Sequence, residues 1–307
     1  MALRYFQNTF AGNPLDRASD RRLDPAWLAQ KLAAADSLAL AIWNGKPLIE
    51  AGPDGPRLAY LPAAMAEDLA GGHERLLFLG LWKDEAVFAV DLEGAVDPAL
   101  GPLQGLGAFE DLRAVSLKLT KAEAAIAATA KQMFEWRRRH RHCAACGEPS
   151  EVADGGWKRK CPACDIEHFP RTDPVVIMLA VHEGRCMLGR QAAWPAGMFS
   201  CLAGFLEPGE TIEEACAREL MEEAALEATS VRYHSTQPWP WPSSLMIGLI
   251  AEVAHDQAAP DQTELSEVRW FTKQEARDLV AGKLPGASAP GGMAIGQALV
   301  KAWSEED

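Results

Sequence analysis

Glu219, Glu222 and Glu223 stand at i, i+3 and i+4 within the run GFLEPGETIEEACARELMEEAAL (204–226). On a helix this spacing gathers three carboxylates on one face. Carboxylates that close repel in water. They become favourable around hard divalent cations such as Mg2+ or Mn2+, which take oxygen ligands and leave positions for substrate phosphates. The run supplies its own helix signals. A Pro208-Gly209-Glu210 turn precedes Thr211, a candidate N-cap, with Glu214 at the capping-box position. Ala217, Leu220, Met221 and Ala224 make an apolar side for packing on a sheet. Arg218 can hold a neighbouring carboxylate, with Glu210 the first choice. Spacing alone fits an amphipathic helix with a solvated acidic face equally well.

Four of the seven cysteines, Cys143, Cys146, Cys161 and Cys164, form two C-x2-C pairs separated by fourteen residues. Each pair can place two thiolates on one tetrahedral ion, and the two pairs together make a closed structural Zn2+ site. Four thiolates fill the shell, so this module is architecture or recognition. Gly147 follows the first pair, where a knuckle turn commonly needs an unusual backbone angle. His140, His142 and His168 are alternative ligands, but the thiols suffice. Cys186, Cys201 and Cys216 read as buried thiols. The stretch Arg137-Arg138-Arg139-His140-Arg141-His142 is the most basic in the chain. It suits either an RNA or nucleotide phosphate, or a positive patch answering the acidic remainder.

A third stretch, TQPWPWPSSLM (236–246), alternates prolines with Trp239 and Trp241 after Gln237. Proline fixes its own φ and restricts the preceding residue, so a rigid extended loop is expected, presenting aromatic faces and polar edges. A loop covering the core is the other reading. There is no P-loop, no G-x-S-x-G elbow and no G-x-G-x-x-G fingerprint.

These motifs need a frame, and the chain of 307 residues is long enough for two domains with a small module between them. With 48% hydrophobic residues a real core is expected. The net charge of −13 argues against sequence-blind nucleic-acid binding. No apolar run is long enough to span a bilayer, and neither end carries a secretory, peroxisomal or prenylation signal. A cytoplasmic protein is expected. The uneven, odd cysteine count speaks against a secreted disulfide scaffold. Residues 37–50 and 74–92 read as hairpins turning at Asn44-Gly45 and Lys83-Asp84. Residues 61–69 read as a short helix, and 110–139 as a helix with Thr120 and Glu123 as a capping box. FSCLA (199–203) reads as a strand leading into Gly204, and 282–293 as a loop.

The acidic run resembles the Nudix box, G-x5-E-x7-R-E-U-x-E-E-x-G-U, at Gly204, Glu210, Arg218, Glu219, Leu220, Glu222, Glu223 and Leu226. It departs at the last glycine, which is Ala225; the helix is expected to run slightly further there, or Ala225 to stay in a normal α conformation. The Trp-Pro stretch resembles the SQPWPFPxS signature of the NADH pyrophosphatase branch of the Nudix hydrolases. Thr236 stands for the serine and Trp241 for the phenylalanine, while Gln237, Pro238, Trp239, Pro240, Pro242 and Ser244 match. The four-cysteine ribbon and Phe169-Pro170-Arg171-Thr172-Asp173-Pro174 also resemble that branch.

The resemblance implies an α/β (α+β) fold. A mixed α+β N-terminal domain with a linker helix (1–133) would precede a zinc ribbon (134–169) and a Nudix α/β/α sandwich with a mixed sheet (170–307). It implies hydrolysis of NAD(H) at the pyrophosphate to AMP and nicotinamide mononucleotide, with NAD-capped RNA a further substrate of the family. Glu219, Glu222, Glu223 and Glu264 would bind Mg2+ or Mn2+, with Glu264 a ligand or the base and Arg218 catalytic beside them. Phe205, Gln237, Trp239, Trp241, Ser244 and the backbone at Ala294 would bind substrate. Phe169 would come from the other subunit of a homodimer, completing a shared site. The rivals are a Nudix enzyme for ADP-ribose or dinucleoside polyphosphates, and a non-catalytic zinc-ribbon adaptor binding nucleotide or RNA.

Overall fold

A computed structural model describes residues 7–306. The described chain divides into two compact units, one built from residues 10–172 with 239–243, the other from 7–9, 173–238 and 244–306. The first unit holds α1 (Pro25–Leu32), a seven-stranded sheet, α2 (Ala63–Ala70), α3 (Leu112–Val115) and α4 (Lys121–Arg139). The sheet comprises β1 (Leu38–Trp43), β2 (Lys46–Gly52), β3 (Gly55–Leu58), β4 (Tyr60–Pro62), β5 (Leu76–Trp82), β6 (Glu85–Leu92) and β7 (Ala108–Phe109). Its main order is β3-β2-β1-β6-β5, with β4 on β1 and β7 on β2.

Both expected hairpins form, with Trp43 opposite Lys46 and Trp82 opposite Glu85. Asn44 and Gly45 both take positive φ, 48° and 76°, the turn that matches strand twist. The reading of 110–139 as one helix needs correction. The chain leaves α3 at Ser116 and re-enters as α4 at Lys121, because Thr120, extended at ψ 153°, caps the new helix with Glu123. A three-stranded sheet of β8 (Glu151–Ala153), β9 (Lys158–Lys160) and β10 (Glu167–His168) carries the cysteines.

The second unit is a six-stranded mixed sheet between helices. Its strands are β11 (Asp173–His182), β12 (Arg185–Arg190), β13 (Leu202–Phe205), β14 (Ala228–Trp239), β15 (Ser244–Val253) and β16 (Glu267–Thr272). The order is β14-β15-β11-β12-β16 with β13 also on β11; β11 and β15 run parallel, Asp173 beside Ser244. Alternation along β11 feeds two cores. Ile177, Leu179 and Val181 face α6 (Lys273–Val280) and α7 (Ile295–Glu305), through Ala276, Leu279, Leu299 and Trp303. Val176, Met178 and Ala180 face α5 (Ile212–Ala224), through Ala215, Cys216, Leu220 and Ala224. Among the described residues no helix is long and apolar enough to cross a membrane.

Four local expectations change. The strand before the acidic helix starts at Leu202, not at 199; Phe199 and Ser200 instead pair with Ser288 and Gly189. The Trp-Pro stretch is not an extended loop throughout. Thr236–Trp239 finish β14 and Ser244 opens β15, so only 240–243 turn. The packing face of α5 lies one position round from the expected one, since Cys216, Leu220 and Ala224 follow i, i+4, i+8 while Met221 is exposed.

Ala225 neither extends the helix nor stays in the α region. It adopts the left-handed conformation at φ 53°, ψ 37°, as the family glycine would. That costs an alanine about 1 kcal/mol. Leu226 beyond it is fully buried, a gain of about 1.5–3 kcal/mol, and its N–H donates to Leu220 O at 3.1 Å. Burial of Leu226 therefore outweighs the strain. Ala225→Gly is expected to raise unfolding free energy by about 0.5–1 kcal/mol in a urea titration; an unchanged or lowered midpoint would refute the strain.

Candidate active site

The acidic helix is fixed at both ends. At its start Thr211 Oγ1 accepts the Glu214 N–H, and Glu214 reciprocates to the Thr211 N–H at 2.8 Å. At its end the carbonyls of Glu223 and Ala224 accept the N–H groups of Asp261 and Ala259. These satisfy groups that a helix terminus otherwise leaves open. Packing of Leu220 and Ala224 on β11 then turns Glu219 and Glu223 inward, to 9% and 5% exposure, while Glu222 stays exposed.

Arg218 ties the carboxylates together. It forms a two-pronged pair with Glu210, Nε to Oε1 at 2.6 Å and Nη2 to Oε2 at 2.9 Å. Nη1 reaches Glu219 at 2.8 Å and Glu222 at 3.0 Å, and Nη2 donates to Phe205 O at 2.9 Å. This guanidinium, with the Glu207 N–H, holds the Glu210 carboxyl down at about 2. Glu223 lacks such a partner. Burial first, then the charges of Glu219, Glu264, Asp261 and Glu222, push its carboxyl up to about 8. Burial also raises Glu219, against the pull of Arg218.

Glu264 lies on an exposed loop, yet its charge acts on both Glu219 and Glu223. The loop that carries Glu264 is tied to the end of α5 by the Asp261 N–H on Glu223 O at 3.1 Å, although Glu264 is 41 residues along the chain from Glu223. Carboxylate oxygens are the ligand type that hard divalent cations take, although the glutamate oxygens do not converge as tightly as the four thiols do. Gly204 makes room for the Glu219 carboxyl, since a Cβ there would sit 1.8 Å from its carbon.

Phe205 follows on β13 and is 60% exposed. Ala294 is the N-cap of α7. Gln237, expected at a pocket edge, is fully buried and its amide is spent on the chain. Nε2 donates to Thr9 O at 3.1 Å and Met293 O at 2.7 Å, and Oε1 accepts the Ile295 N–H at 2.9 Å. Ser244 is buried at the start of β15.

Trp239 and Trp241 belong to the other unit. Their rings meet edge-on at 4.9 Å, both contact Phe10, and Arg113 lies 4.4 Å over Trp241. Phe169, in the same unit, is 64% exposed.

The four thiols of Cys143, Cys146, Cys161 and Cys164 lie within 4.8 Å of one another, with near pairs at 3.5 and 3.6 Å. Zn–S bonds of about 2.3 Å set tetrahedral edges of about 3.8 Å, so the cluster fits zinc. Gly147 at φ 83° and Asp165 at φ 62° make matching knuckle turns back to Cys143 O and Cys161 O. The basic stretch beside it is largely engaged. Arg137 is buried on the Leu76 and Glu74 carbonyls, Arg138 and Arg139 pair with Glu135, and Arg141 with Glu93.

Three family models match along the chain. They are the NADH pyrophosphatase-like rudimentary NUDIX domain over residues 36–136, the NADH pyrophosphatase zinc ribbon over 138–169 and the NUDIX domain over 170–289. The NAD-capped RNA hydrolase NUDT12 of Macaca fascicularis is 34% identical across 97% of this chain and 73% of its own length. This chain belongs to the Nudix hydrolases, in their NADH pyrophosphatase branch. The NAD-capped RNA hydrolase NudC of Mycobacterium tuberculosis is 38% identical across 72% of this chain and 75% of its own. A NUDIX hydrolase structure from Nitrosomonas europaea superposes with a TM-score of 0.42 at 23% identity, over 54% of this chain and 91% of that one.

The NUDIX domain implies a divalent metal, and the zinc ribbon with its four cysteines implies zinc. Two features beside the glutamates escaped the sequence reading. One is the bonding of Asp261 to the Glu264 and Leu265 N–H groups, whose signal was the Asp-x-x-Glu spacing; the other is the clearance at Gly204.

A carboxyl at about 8 must lose its proton to take a cation, so Mn2+ affinity should rise as pH is raised from 6 to 8, with protons released on binding. Isothermal titration in two buffers of different ionisation enthalpy would detect this. Affinity flat across that range would contradict the burial of Glu223. Gly204→Ala should displace the Glu219 carboxylate and weaken Mn2+ binding while the far-ultraviolet circular dichroism is retained; unchanged binding would show that the clearance is dispensable.

Proposed function

We propose that this enzyme hydrolyses the pyrophosphate of NAD(H) to AMP and nicotinamide mononucleotide, reduced or oxidised, and also removes NAD caps from RNA. The observation that carries the reading is the buried Glu219–Glu223 pair with Glu264 beside it, in a chain whose relatives are named NAD-capped RNA hydrolases. Mg2+ or Mn2+ bound there would neutralise the pyrophosphate oxygens and lower the pKa of an attacking water. Glu219, Glu222, Glu223 and Glu264 hold the ions, with Glu264 a ligand or the base. Arg218 keeps three carboxylates in register.

The exposed Phe205 ring offers a stacking face for nicotinamide, and the exposed Phe169 a second one supplied by another copy in a homodimer. The backbone at Ala294 takes the nicotinamide amide. Gln237 supports that segment through its bonds to Met293 and Ile295. The match of residues 236–246 to the branch signature supports a substrate-binding role for Trp239, Trp241 and Ser244. The working modules are residues 1–133, 134–169 and 170–307, in the cytoplasm, with the zinc ribbon structural.

Product analysis by chromatography tests this. The purified protein is incubated with NADH or with ADP-ribose, in Mn2+ or Mg2+, beside a Glu223→Gln variant. NADH should be split far faster than ADP-ribose, and the variant should lose on the order of 10²- to 10³-fold, the scale for removing one preorganised electrostatic group. Survival of NADH under every metal condition would remove the nicotinamide reading and leave a Nudix enzyme of other specificity.

A further inference from the structure

Glu264 faces a positional problem. It is exposed, it lies on a loop, and a long flexible side chain on such a loop loses its own freedom when it must meet two buried carboxylates. Three observations show how the loop is held. The Asp261 N–H donates to Glu223 O at 3.1 Å, and the Ala259 N–H to Ala224 O at 2.9 Å, so the segment is tied to the last turn of α5. The Asp261 carboxylate then turns back on its own loop. Oδ1 accepts the Leu265 N–H at 2.8 Å, and Oδ2 accepts the Glu264 N–H at 3.0 Å. Beyond it Leu265 is buried in the core that α5 shares, closing on Gly189, where an added Cβ would lie 2.9 Å from a Leu265 methyl.

We infer that Asp261 is a positioning residue. It clamps the backbone of Glu264 to the end of the glutamate helix, so that the Glu264 carboxylate completes the oxygen cluster. The inference rests on the reading of Glu264 as part of the metal site. The choice of residue supports it. Asp261 adds a further negative charge close to Glu223, an unfavourable neighbour unless its side chain is needed as an acceptor for the loop. A carboxylate receives both N–H groups at once, and bonds to an ionised acceptor are about twice as strong as neutral ones. The role is that of a group one layer outside the ligands, whose loss typically lowers metal affinity or activity by about 10- to 100-fold.

The test uses the full-length protein and four variants, Asp261→Ala, Asp261→Asn, Glu264→Gln and Asp261→Ala with Glu264→Gln. Mn2+ binding is read from the paramagnetic resonance signal of the free ion, and kcat and KM from NADH turnover. Asp261→Ala should weaken Mn2+ by about 10- to 100-fold. The double variant should be no worse than Glu264→Gln alone, because both changes remove the same carboxylate from the site. Asp261→Asn keeps one acceptor oxygen, and Oδ1 already reaches both the Leu265 N–H at 2.8 Å and the Glu264 N–H at 3.2 Å, so it should recover part of the affinity that Asp261→Ala loses.

Additive losses in the double variant would overturn the inference, since Asp261 would then act by itself, as a ligand or through its charge. So would an Asp261→Asn as damaging as Asp261→Ala, which also serves if the alanine variant does not fold. An inert Glu264→Gln alongside a damaging Glu223→Gln would remove the premise about Glu264 while leaving the glutamate helix catalytic. Loss of neither would instead bring down the metal site itself.

Discussion

Burial of like charge is the constraint around which the Nudix unit is arranged. Two carboxylates on α5 are turned inward because the helix must pack Cys216, Leu220 and Ala224 on the sheet. Desolvation disfavours their charged form, and neighbouring carboxylates make it worse. Arg218 relieves part of this through Glu210, Glu219 and Glu222, but leaves Glu223 with an elevated carboxyl. A cluster so poised is incomplete without added positive charge. The protein spends stability locally to create a strong oxygen site, a trade typical of functional centres.

The surrounding elements hold that cluster still. β13 runs antiparallel to β11 with Gly204 opposite Val176, which brings a residue with no side chain against the Glu219 carboxyl. The loop after β15 returns to the end of α5 and delivers Glu264. On the far side of the same sheet α7 is pinned at its first turn by the Gln237 amide. Gln237 thus resembles a staple more than a ligand contact: its two donors and one acceptor join Thr9, Met293 and Ile295 at full burial. A buried amide that meets its partners is stabilising, whereas leaving them unpaired costs about 1–3 kcal/mol.

The arginine-rich stretch beside the zinc ribbon shows how pairing fixes side chains without cancelling their charge. Read as a string, residues 137–142 form a cationic patch. In three dimensions Arg137 is consumed by backbone carbonyls and Arg138, Arg139 and Arg141 by Glu135 and Glu93. These contacts hold the arginines in place without cancelling their charge: Glu135 is shared by Lys131, Arg138 and Arg139, and Glu93 by Arg75 and Arg141, so the stretch stays cationic.

The sequence by itself determined the parts whose rules are local. Helix periodicity and the capping boxes at Thr120 and Thr211, the two hairpin turns, and the C-x2-C pairs depend on neighbours within a few residues, and each was legible. Even the acidic face of α5 follows from spacing. Only the tertiary structure decided the rest. It decided which acidic residues are buried, because that depends on which side of α5 meets the sheet. It decided that Ala225 takes a left-handed conformation, because burial of Leu226 outweighs a backbone preference. It decided that Gln237 bonds inward to segments 56 to 228 residues away, and that Trp239 and Trp241 pack on Phe10 with Arg113 over Trp241, all of them distant along the chain. Local propensity is encoded residue by residue, whereas burial and long-range pairing are properties of the whole packed chain.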